Sequence, residues 1–444
     1  MHTCKSTLTL IACLPNELKE ILNKNEIIIA TPNFKFPIFN YASFCRVLST
    51  RRVHKMLKKL LRNNQQFISS HILSTNIDIV AQEIINLFIK QIPSLKQLDL
   101  FKFSQLSTWK RPTTHFISYP EAKVCLKNLS ELHCYSNISS DFFFQLSQIC
   151  HNILLLYLYI EEYVPNGLVD LISVQKSLKH FNIKINCAHS INSLMEKLPN
   201  TITKLNLYGG CDDISLSFIT NLTNLKELQL DFYYRKYFKN LEILQNIIFP
   251  QLQILKFKCE LLNCKLLIKF LKNNGINLRE IYLCDHINYN NNSLNLSIAK
   301  FCPFLRKLSI GIKNNELETL KIIFVSCQYL ESIKIWCGGS FLNEKEALGI
   351  VVNYSKNIYE IILDYKDDVE FEMLPEDLEI FFVNWSNCLP QRALSLVIIY
   401  DIYIINNLDD NDENMKIIDK YIKLGIIKKF KVTGRNDKEF NPYI

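Results

Sequence analysis

Apolar residues recur along this chain as Leu-x-x-Leu-x-Leu, with other apolar residues allowed at the leucine places. The pattern occupies Leu95/Leu98/Leu100, Leu129/Leu132/Cys134, Ile153/Leu156/Leu158, Leu178/Phe181/Ile183, Ile202/Leu205/Leu207, Leu225/Leu228/Leu230, Leu252/Leu255/Phe257, Leu278/Ile281/Leu283, Leu305/Leu308/Ile310, Leu330/Ile333/Ile335 and Ile358/Ile361/Leu363. Their first positions are 34, 24, 25, 24, 23, 27, 26, 27, 25 and 28 residues apart, so after the first gap the period stays near 26. The last two apolar positions are two apart and share one face of a short strand, while the first lies on the turn leading into it. One such unit buries almost nothing alone, whereas parallel stacking joins the apolar positions into a continuous core. The segments Ser139 to Cys150, Ser215 to Asn221, Leu262 to Asn273 and Asn315 to Cys327 carry apolar residues at three- and four-residue spacing and predict helical returns. The expected fold is therefore an α/β solenoid, a curved horseshoe with a parallel sheet on its concave face and helices outside.

Size agrees with an array. A chain of 444 residues, 48% hydrophobic and with only 10 glycines, can bury a large core, and a solenoid extends without one oversized core. No run of roughly 18 apolar residues occurs, so a membrane-spanning helix is not expected. The start, Met1 to Leu14, lacks a small-residue cleavage pattern, and no secretory signal is expected. Fifteen cysteines are scattered without a Cys-x-x-Cys pair, which fits free thiols in a reducing compartment better than a disulfide framework or a zinc site. The expected location is cytoplasmic, with the nucleus also open.

The repeat residues resemble a known family. Leu207-Tyr208-Gly209-Gly210-Cys211-Asp212-Asp213-Ile214-Ser215 is similar to the cysteine-containing leucine-rich repeat, and Cys150-His151-Asn152-Ile153, Cys302-Pro303-Phe304-Leu305 and Cys327-Gln328-Tyr329-Leu330 resemble its entry. This repeat class is characteristic of F-box proteins, and the resemblance implies a leucine-rich-repeat solenoid whose cysteines are small apolar residues packed at turns. It covers about Ile84 to the C-terminus. Residues 84–370 form the expected array, and 371–444 form irregular terminal repeats and a cap. In that last part Leu378/Phe381/Val383, Ala393/Leu396/Ile398 and Ile427/Phe430/Val432 keep the strand spacing. Asp409 to Glu413 followed by Met415 to Leu424 predicts an N-capped helix stopped by Gly425.

Residues 1–83 are expected to form a small helical cap or linker. Leu14-Pro15-Asn16-Glu17-Leu18 resembles the opening of an F-box, with Phe44-Cys45-Arg46-Val47-Leu48 standing for its later cysteine and arginine, but the tryptophan of that motif is missing and Ile27 to Pro37 is β-rich. The segment that follows the F-box in large fungal families of F-box and leucine-rich-repeat paralogues is a closer likeness. There a Leu-Pro-x-x-Leu-Lys helix precedes a stretch similar to Phe39-Asn40-Tyr41-Ala42-Ser43-Phe44-Cys45-Arg46. The resemblance implies the substrate-recognition part of an SCF-type ubiquitin ligase, meeting a Skp-type adaptor and a cullin through its N-terminus; a free-standing repeat scaffold or inhibitor is the other reading.

Net charge is +8. Arg51, Arg52, Lys55, Lys58, Lys59 and Arg62 interleave with Val53, Met56, Leu57, Leu60 and Leu61 at helical spacing, which predicts a basic amphipathic helix. It is either the solvated face of a packed helix or a contact for an anionic partner; nucleic acid is not expected, since nothing nearby supports specific recognition. Phosphate-binding glycine loops, metalloprotease His-Glu-x-x-His and Gly-x-Ser-x-Gly are absent, and nine histidines are dispersed. No enzyme activity, cofactor or metal is expected. If the leucines face the core, the alternate residues face a protein partner on the concave side: Glu131, His133, Tyr135, Tyr157, Tyr159, Lys204, Asn206, Tyr208, Glu227, Gln229, Asp231, Lys256, Lys258, Glu280, Tyr282, Lys307, Lys334 and Trp336. Its tyrosines and Trp336 are interface-anchoring types, and its charge runs from acidic at Glu227 and Asp231 to basic at the lysines, favouring a partner of the opposite order.

Overall fold

The computed structural model describes Glu20 and residues 41–64, 70–100, 114–186, 191–209, 214–232, 238–239, 241–259, 264–283, 292–366, 373–387, 393–400 and 408–434. The chain contains two compact units, Met1–Ile214 and Ser215–Ile444. Both are built from parallel strands alternating with helical returns, which is the α/β leucine-rich-repeat solenoid architecture that the apolar period predicts.

In the first unit the strands are β1 (Val47–Ser49), β2 (Gln97–Asp99), β3 (Glu131–Tyr135), β4 (Leu155–Ile160), β5 (His180–Ile185) and β6 (Lys204–Gly209), each parallel to the next in sequence. Leu48, Leu98, Leu132, Leu156, Phe181 and Leu205 stand in one register column and are all buried. The residue just before each strand supplies a carbonyl that accepts two amides of the following repeat. The Lys96 carbonyl takes the Ser130 and Glu131 N–H groups at 2.9 and 3.0 Å, that of Ser130 takes Leu154 and Leu155, that of Leu154 takes Lys179 and His180, and that of Lys179 takes Thr203 and Lys204. Arg46 performs the same service for Lys96 and Gln97, at 2.8 and 3.1 Å.

The N-terminal expectation needs correction on this point. Within residues 1–83, expected to be a helical cap or linker, Val47–Ser49 is a strand, the first among the described residues, and it pairs with β2, while Phe44 ends the 3-10 segment Tyr41–Phe44. The strand escapes the apolar pattern because the register aligns Cys45 and Thr50 with Leu95 and Leu100, leaving only Leu48 as a leucine. Leu14 to Leu22, Ile27 to Pro37 and Phe39-Asn40 lie outside the described residues, apart from Glu20. Helices α1 (Thr50–Asn64) and α2 (Ser70–Gln91) follow the strand. On α1 Arg51, Arg52, Lys55 and Lys59 are exposed while Val53 and Leu57 are buried, as the amphipathic pattern requires. The buried His54 ties the two helices together: its Nδ1 lies 2.7 Å from the Thr50 carbonyl and its Nε2 3.7 Å from the Asp78 carboxylate on α2.

The remaining returns of this unit are α3 (Pro120–Leu126), α4 (Ser140–Ser147), α5 (Asn166–Ser173) and α6 (Ile191–Met195). Pro120 and Glu121 suit the first turn of α3, and the Ser139 hydroxyl caps α4 by accepting from the Phe142 amide. Helices α4 and α5 approach so closely at Gly167 that a Cβ there would lie 2.0 Å from the Ser140 carbonyl oxygen.

In the second unit the described strands of the parallel sheet are β7 (Glu227–Phe232), β8 (Ile254–Cys259), β9 (Glu280–Leu283), β10 (Lys307–Ile310), β11 (Ser332–Cys337), β12 (Glu360–Tyr365), β13 (Leu394–Tyr400) and β14 (Ile427–Gly434), again in order. Leu228, Leu255, Ile281, Leu308, Ile333, Ile361 and Leu396 make the buried column. The 3-10 segments Leu216–Asn221 and Leu241–Asn246 serve as short returns, followed by helices α7 (Cys264–Asn274), α8 (Asn292–Phe301), α9 (Leu317–Ser326), α10 (Glu344–Tyr354), α11 (Pro375–Asn387) and α12 (Asp412–Lys423). Of the three irregular matches near the end, those at Leu396 and Phe430 are strands. Leu378/Phe381/Val383 instead lies in α11: Pro375, Glu376 and Asp377 open a helix, and Leu378, Phe381, Phe382 and Trp385 bury one face of it. The predicted terminal helix is present, with Asn411 accepting from the Glu413 and Asn414 amides and Gly425 at φ +74° after its end.

The cysteines at the repeat entries are buried, and they also bond to the neighbouring repeat. Cys150 Sγ donates to the Leu126 carbonyl at 3.1 Å and Cys327 Sγ to the Cys302 carbonyl at 3.4 Å. Gln175 and Asn274 do similar work with carboxamides, donating to Cys150 O at 2.7 Å and Ile247 O at 2.9 Å. Burial pushes both the Cys150 and Cys327 thiols up to about 12, so they stay protonated at neutral pH. No helix among the described residues is long and apolar enough to cross a membrane.

The close approach at Gly167 gives a direct test of the packing. Gly167→Ala should destabilise the chain by about 2 kcal/mol, because the added methyl meets backbone rather than a movable side chain. Gly349→Ala, within α10 and with nothing inside 4 Å of the added Cβ, should be neutral or stabilise by up to about 1 kcal/mol. Urea unfolding of both variants decides the matter, and equal effects would show that the approach at Gly167 is not tight.

Candidate functional site

Alternation along each strand sends the leucines inward and the intervening side chains to the other face. In the first unit register assembles those side chains into rows. One row is Asp99, His133, Tyr157, Asn182 and Asn206, and the next is Tyr135, Tyr159, Lys184 and Tyr208. The Tyr135 and Tyr159 rings are 4.8 Å apart between centroids at 54°, and His133 and Tyr157 are 5.8 Å apart at 46°. Lys184 Nζ stands 5.5 Å from the centroid of Tyr159. Beside them Asn206 donates to the Asn182 side-chain oxygen. Glu131, opposite Leu155, and Lys204, opposite His180, close the row at the entry side.

The electrostatics of this patch are mild. Burial raises the Tyr135, Tyr157 and Tyr159 hydroxyls above the usual phenol range, with each other's phenols and Glu161 adding to it for individual members, while Arg51 at the start of α1 acts against it on Tyr135. Burial also lowers His133, against the pull of Asp99 and Glu131, so its imidazole is neutral at pH 7. What the patch offers is a set of half-buried, polar-tipped rings with one cation. Such a surface can bury ring area against a partner at small rotamer cost while its hydroxyls form hydrogen bonds. His180, Asn182 and Lys184 belong to this face and were not among the residues expected there, although the same alternation applied to β5 identifies them.

In the second unit the expected row has a different character. Lys256 Nζ lies 2.9 Å from Glu227 Oε1 and 5.6 Å from the centre of the Tyr282 ring; Lys307 lies 3.3 Å from Glu280, which also accepts from the Tyr282 hydroxyl at 2.9 Å. Lys334 and Lys366 flank the buried Asp364 at 2.6 and 2.7 Å. The change from acidic to basic along the sequence is thus neutralised within the sheet, each described lysine of the row meeting a carboxylate, and it does not present one sign of charge to a partner. The Lys258 side chain lies outside the described residues. Gln229, Asp231, Asn206 and Tyr208 are buried, and so is Trp336, at 2% exposure. Phe341 stands edge-on to the Trp336 ring at 5.5 Å and Lys366 Nζ lies 5.5 Å from its centroid, so the tryptophan belongs to the packing and is not displayed. Alternation fixes the side of the strand; the loop after β11 decides whether that side sees water.

Among the described residues, no group of three or more His, Cys, Asp or Glu side chains could hold a metal ion. The candidate site is the group of rings on β3 and β4 with their neighbours on β5, an open aromatic strand face on a repeat solenoid. No family model matches the chain, and no curated protein matches it. Among solved structures, the chain is similar to a chain of the crystal structure of the Rad7 and Elc1 complex in yeast, at 14% identity over 81% of this chain and 94% of that one, with a TM-score of 0.43. It is also similar to a chain of the glycosylated Toll–Spatzle complex of Drosophila, at 13% identity over 71% of this chain and 50% of that one, with a TM-score of 0.28. These likenesses are too loose to carry a function over to this chain.

The ion-pair arrangement yields a contrast in stability. Asp364→Ala should cost about 3 kcal/mol, because it leaves Lys366, 9% exposed, and Lys334 without their shared carboxylate. Glu331→Ala, which removes a 3.4 Å pair with the largely exposed Arg306, should cost less than about 1 kcal/mol. Thermal or urea unfolding measures both, and a cost at Asp364 no larger than at Glu331 would mean the buried cluster contributes nothing.

Proposed function

We propose that this chain is a protein-interaction module that binds another protein through the aromatic strand face of its first unit. The observation that carries this is the grouping of Tyr135, Tyr157, Tyr159 and His133 as paired, half-buried rings on strands whose opposite side is the core. Rings in a soluble protein's interior need a packing reason, whereas rings held on an open sheet face need a partner or water. Interface anchors are commonly of this type, and a few of them dominate binding energy. The reading assigns the chain no catalytic step and no cofactor, and takes the basic face of α1 as solvated.

The finer reading makes the module the substrate-recognition part of an SCF-type ubiquitin ligase, with a Skp-type adaptor and a cullin reached through the N-terminal segment. Its support is the resemblance of the cysteine-containing repeats and of Leu14 to Leu18. The free-standing scaffold or inhibitor is kept as a second reading on a specific observation: Val47–Ser49 pairs with Gln97–Asp99 in the sheet, so Val47 and Leu48 serve the array and not the later part of an F-box.

One measurement tests the aromatic face and a second separates the ligase from the scaffold. Replacing Tyr135, Tyr157 and Tyr159 together by alanine should leave the fold intact, since the rings are on the open face, and should weaken partner binding by about 3 kcal/mol, roughly a hundred-fold. Unchanged affinity in the folded triple variant would sink the aromatic-face assignment. Affinity purification of the full chain, compared with a Leu14→Asp/Leu18→Asp variant, tests the ligase: an adaptor and cullin recovered only with the unsubstituted chain support it. Other partners recovered equally by both, without ligase components, support the scaffold.

A further inference from the structure

We infer that the outer groove between α3 and α4 is a second docking site, which takes an acidic segment of another protein anchored by one bulky apolar side chain. The groove has a volume of about 720 Å³, within the range of clefts that take a small ligand or a bulky side chain. Its apolar lining is Ile117, Ile149 and Phe144. Helix α4 contains three phenylalanines in succession; Phe142 and Phe143 turn to the core and are fully buried, whereas helical rotation brings Phe144 outward, where it is 50% exposed. The core does not need this third ring, and the groove uses it as a wall.

The polar lining carries one sign of charge. Lys123 and Lys127, one helical turn apart and both exposed, stand at the groove with His151 beside them, and among the described residues no carboxylate lines it. The nearest acid along α4, Asp141, is engaged by the Gln145 carboxamide at 2.6 Å. Neither lysine forms an ion pair among the described residues, in contrast to the lysines of the second unit's strands, which meet carboxylates of their own sheet. The C-terminal end of α3 favours a lysine at 123, but that preference does not account for an exposed phenylalanine facing a recess rimmed by two lysines. Charge complementarity selects acidic groups for the rim and an apolar group for the floor. The carboxamides of Gln148 and Asn152, which also line the groove, supply the donors and acceptors that a peptide backbone presents, and the recessed shape suits a side-chain anchor better than a flat bilayer.

The test is selection of randomised displayed peptides on the full-length chain, followed by anisotropy titration of the enriched peptides against the chain and its Lys123→Glu/Lys127→Glu and Phe144→Ser variants. Both variants change exposed side chains, and circular dichroism confirms their fold. Expected are enriched peptides with net negative charge and a bulky apolar residue, weakened about ten-fold by either variant and by a rise in salt, and unaffected by the three tyrosine replacements on the strand face. That last comparison keeps this site separate from the aromatic face, so either can fail alone. Enrichment of neutral or basic peptides only, or of acidic peptides whose affinity ignores both groove variants, would overturn the proposal; so would binding of anionic vesicles with no peptide enrichment.

Discussion

The interaction on which this architecture rests is the carbonyl shared between repeats. A strand added in parallel must satisfy its backbone polar groups before its leucines can enter the core, because an unpaired buried amide costs as much as a lost hydrogen bond. Here one carbonyl just ahead of each strand, from Arg46 through Lys179 in the first unit and from Lys226 through Glu331 in the second, accepts the two amides that begin the next strand. That fixes register at the entry, and a one-residue slip would move every leucine to the wrong face. The residue holding this carbonyl varies among arginine, lysine, serine, leucine, glutamine and glutamate. Main chain does the work, so side-chain identity is unconstrained.

The same economy of constraint explains the repeat entries. A turn that enters a strand leaves a carbonyl of the preceding repeat to be satisfied, and any side chain with a donor of the right reach can do it. Cys150 and Cys327 use a thiol, while Gln175 and Asn274 use a carboxamide with stronger donors and a second contact: the Gln175 oxygen accepts the Ile153 amide at 2.9 Å, and the Asn274 oxygen accepts the Phe249 amide at 2.7 Å. The cysteines are thus one solution to a hydrogen-bonding requirement in an apolar setting. Burial holds their thiols protonated, which keeps them donors.

Much of the fold was legible because the strand pattern is local and periodic. The eleven matches all lead into parallel strands, and the expected returns contain the helices Ser140–Ser147, Cys264–Asn274 and Leu317–Ser326, with the 3-10 segment Leu216–Asn221 in the fourth. What was not legible depended on non-local facts. At the pattern positions of β1 stand Cys45, Leu48 and the polar Thr50, and the strand is recognised only by pairing with β2. Leu378, Phe381 and Val383 fit a strand template, but Leu378, Phe381, Phe382 and Trp385 fit a helical one, and the decision falls to Pro375 with its acidic neighbours. At the candidate site, alternation placed Tyr135, Tyr157 and Tyr159 on the strand face opposite the core, yet it could not foresee that Phe341 covers Trp336 or that Asp364 and Glu280 would occupy the lysines. Those outcomes turn on loops and on partners one repeat away, separated by about a full period in sequence.

This difference between the two strand faces has a consequence for recognition. In the second unit a partner would have to compete with contacts the sheet already makes: displacing Lys256 from Glu227 or Lys307 from Glu280 exchanges one ion pair for another and gains little. In the first unit the rings lean on one another but keep solvent-facing area, and Lys184 is held over Tyr159 by a contact that a partner can share without breaking. Covering such rings removes apolar area from water while requiring no charged pair to be dismantled first. On these grounds the proposed docking face is the aromatic one of β3 to β5 and not the lysine-rich row, although the row is the more conspicuous of the two in the sequence.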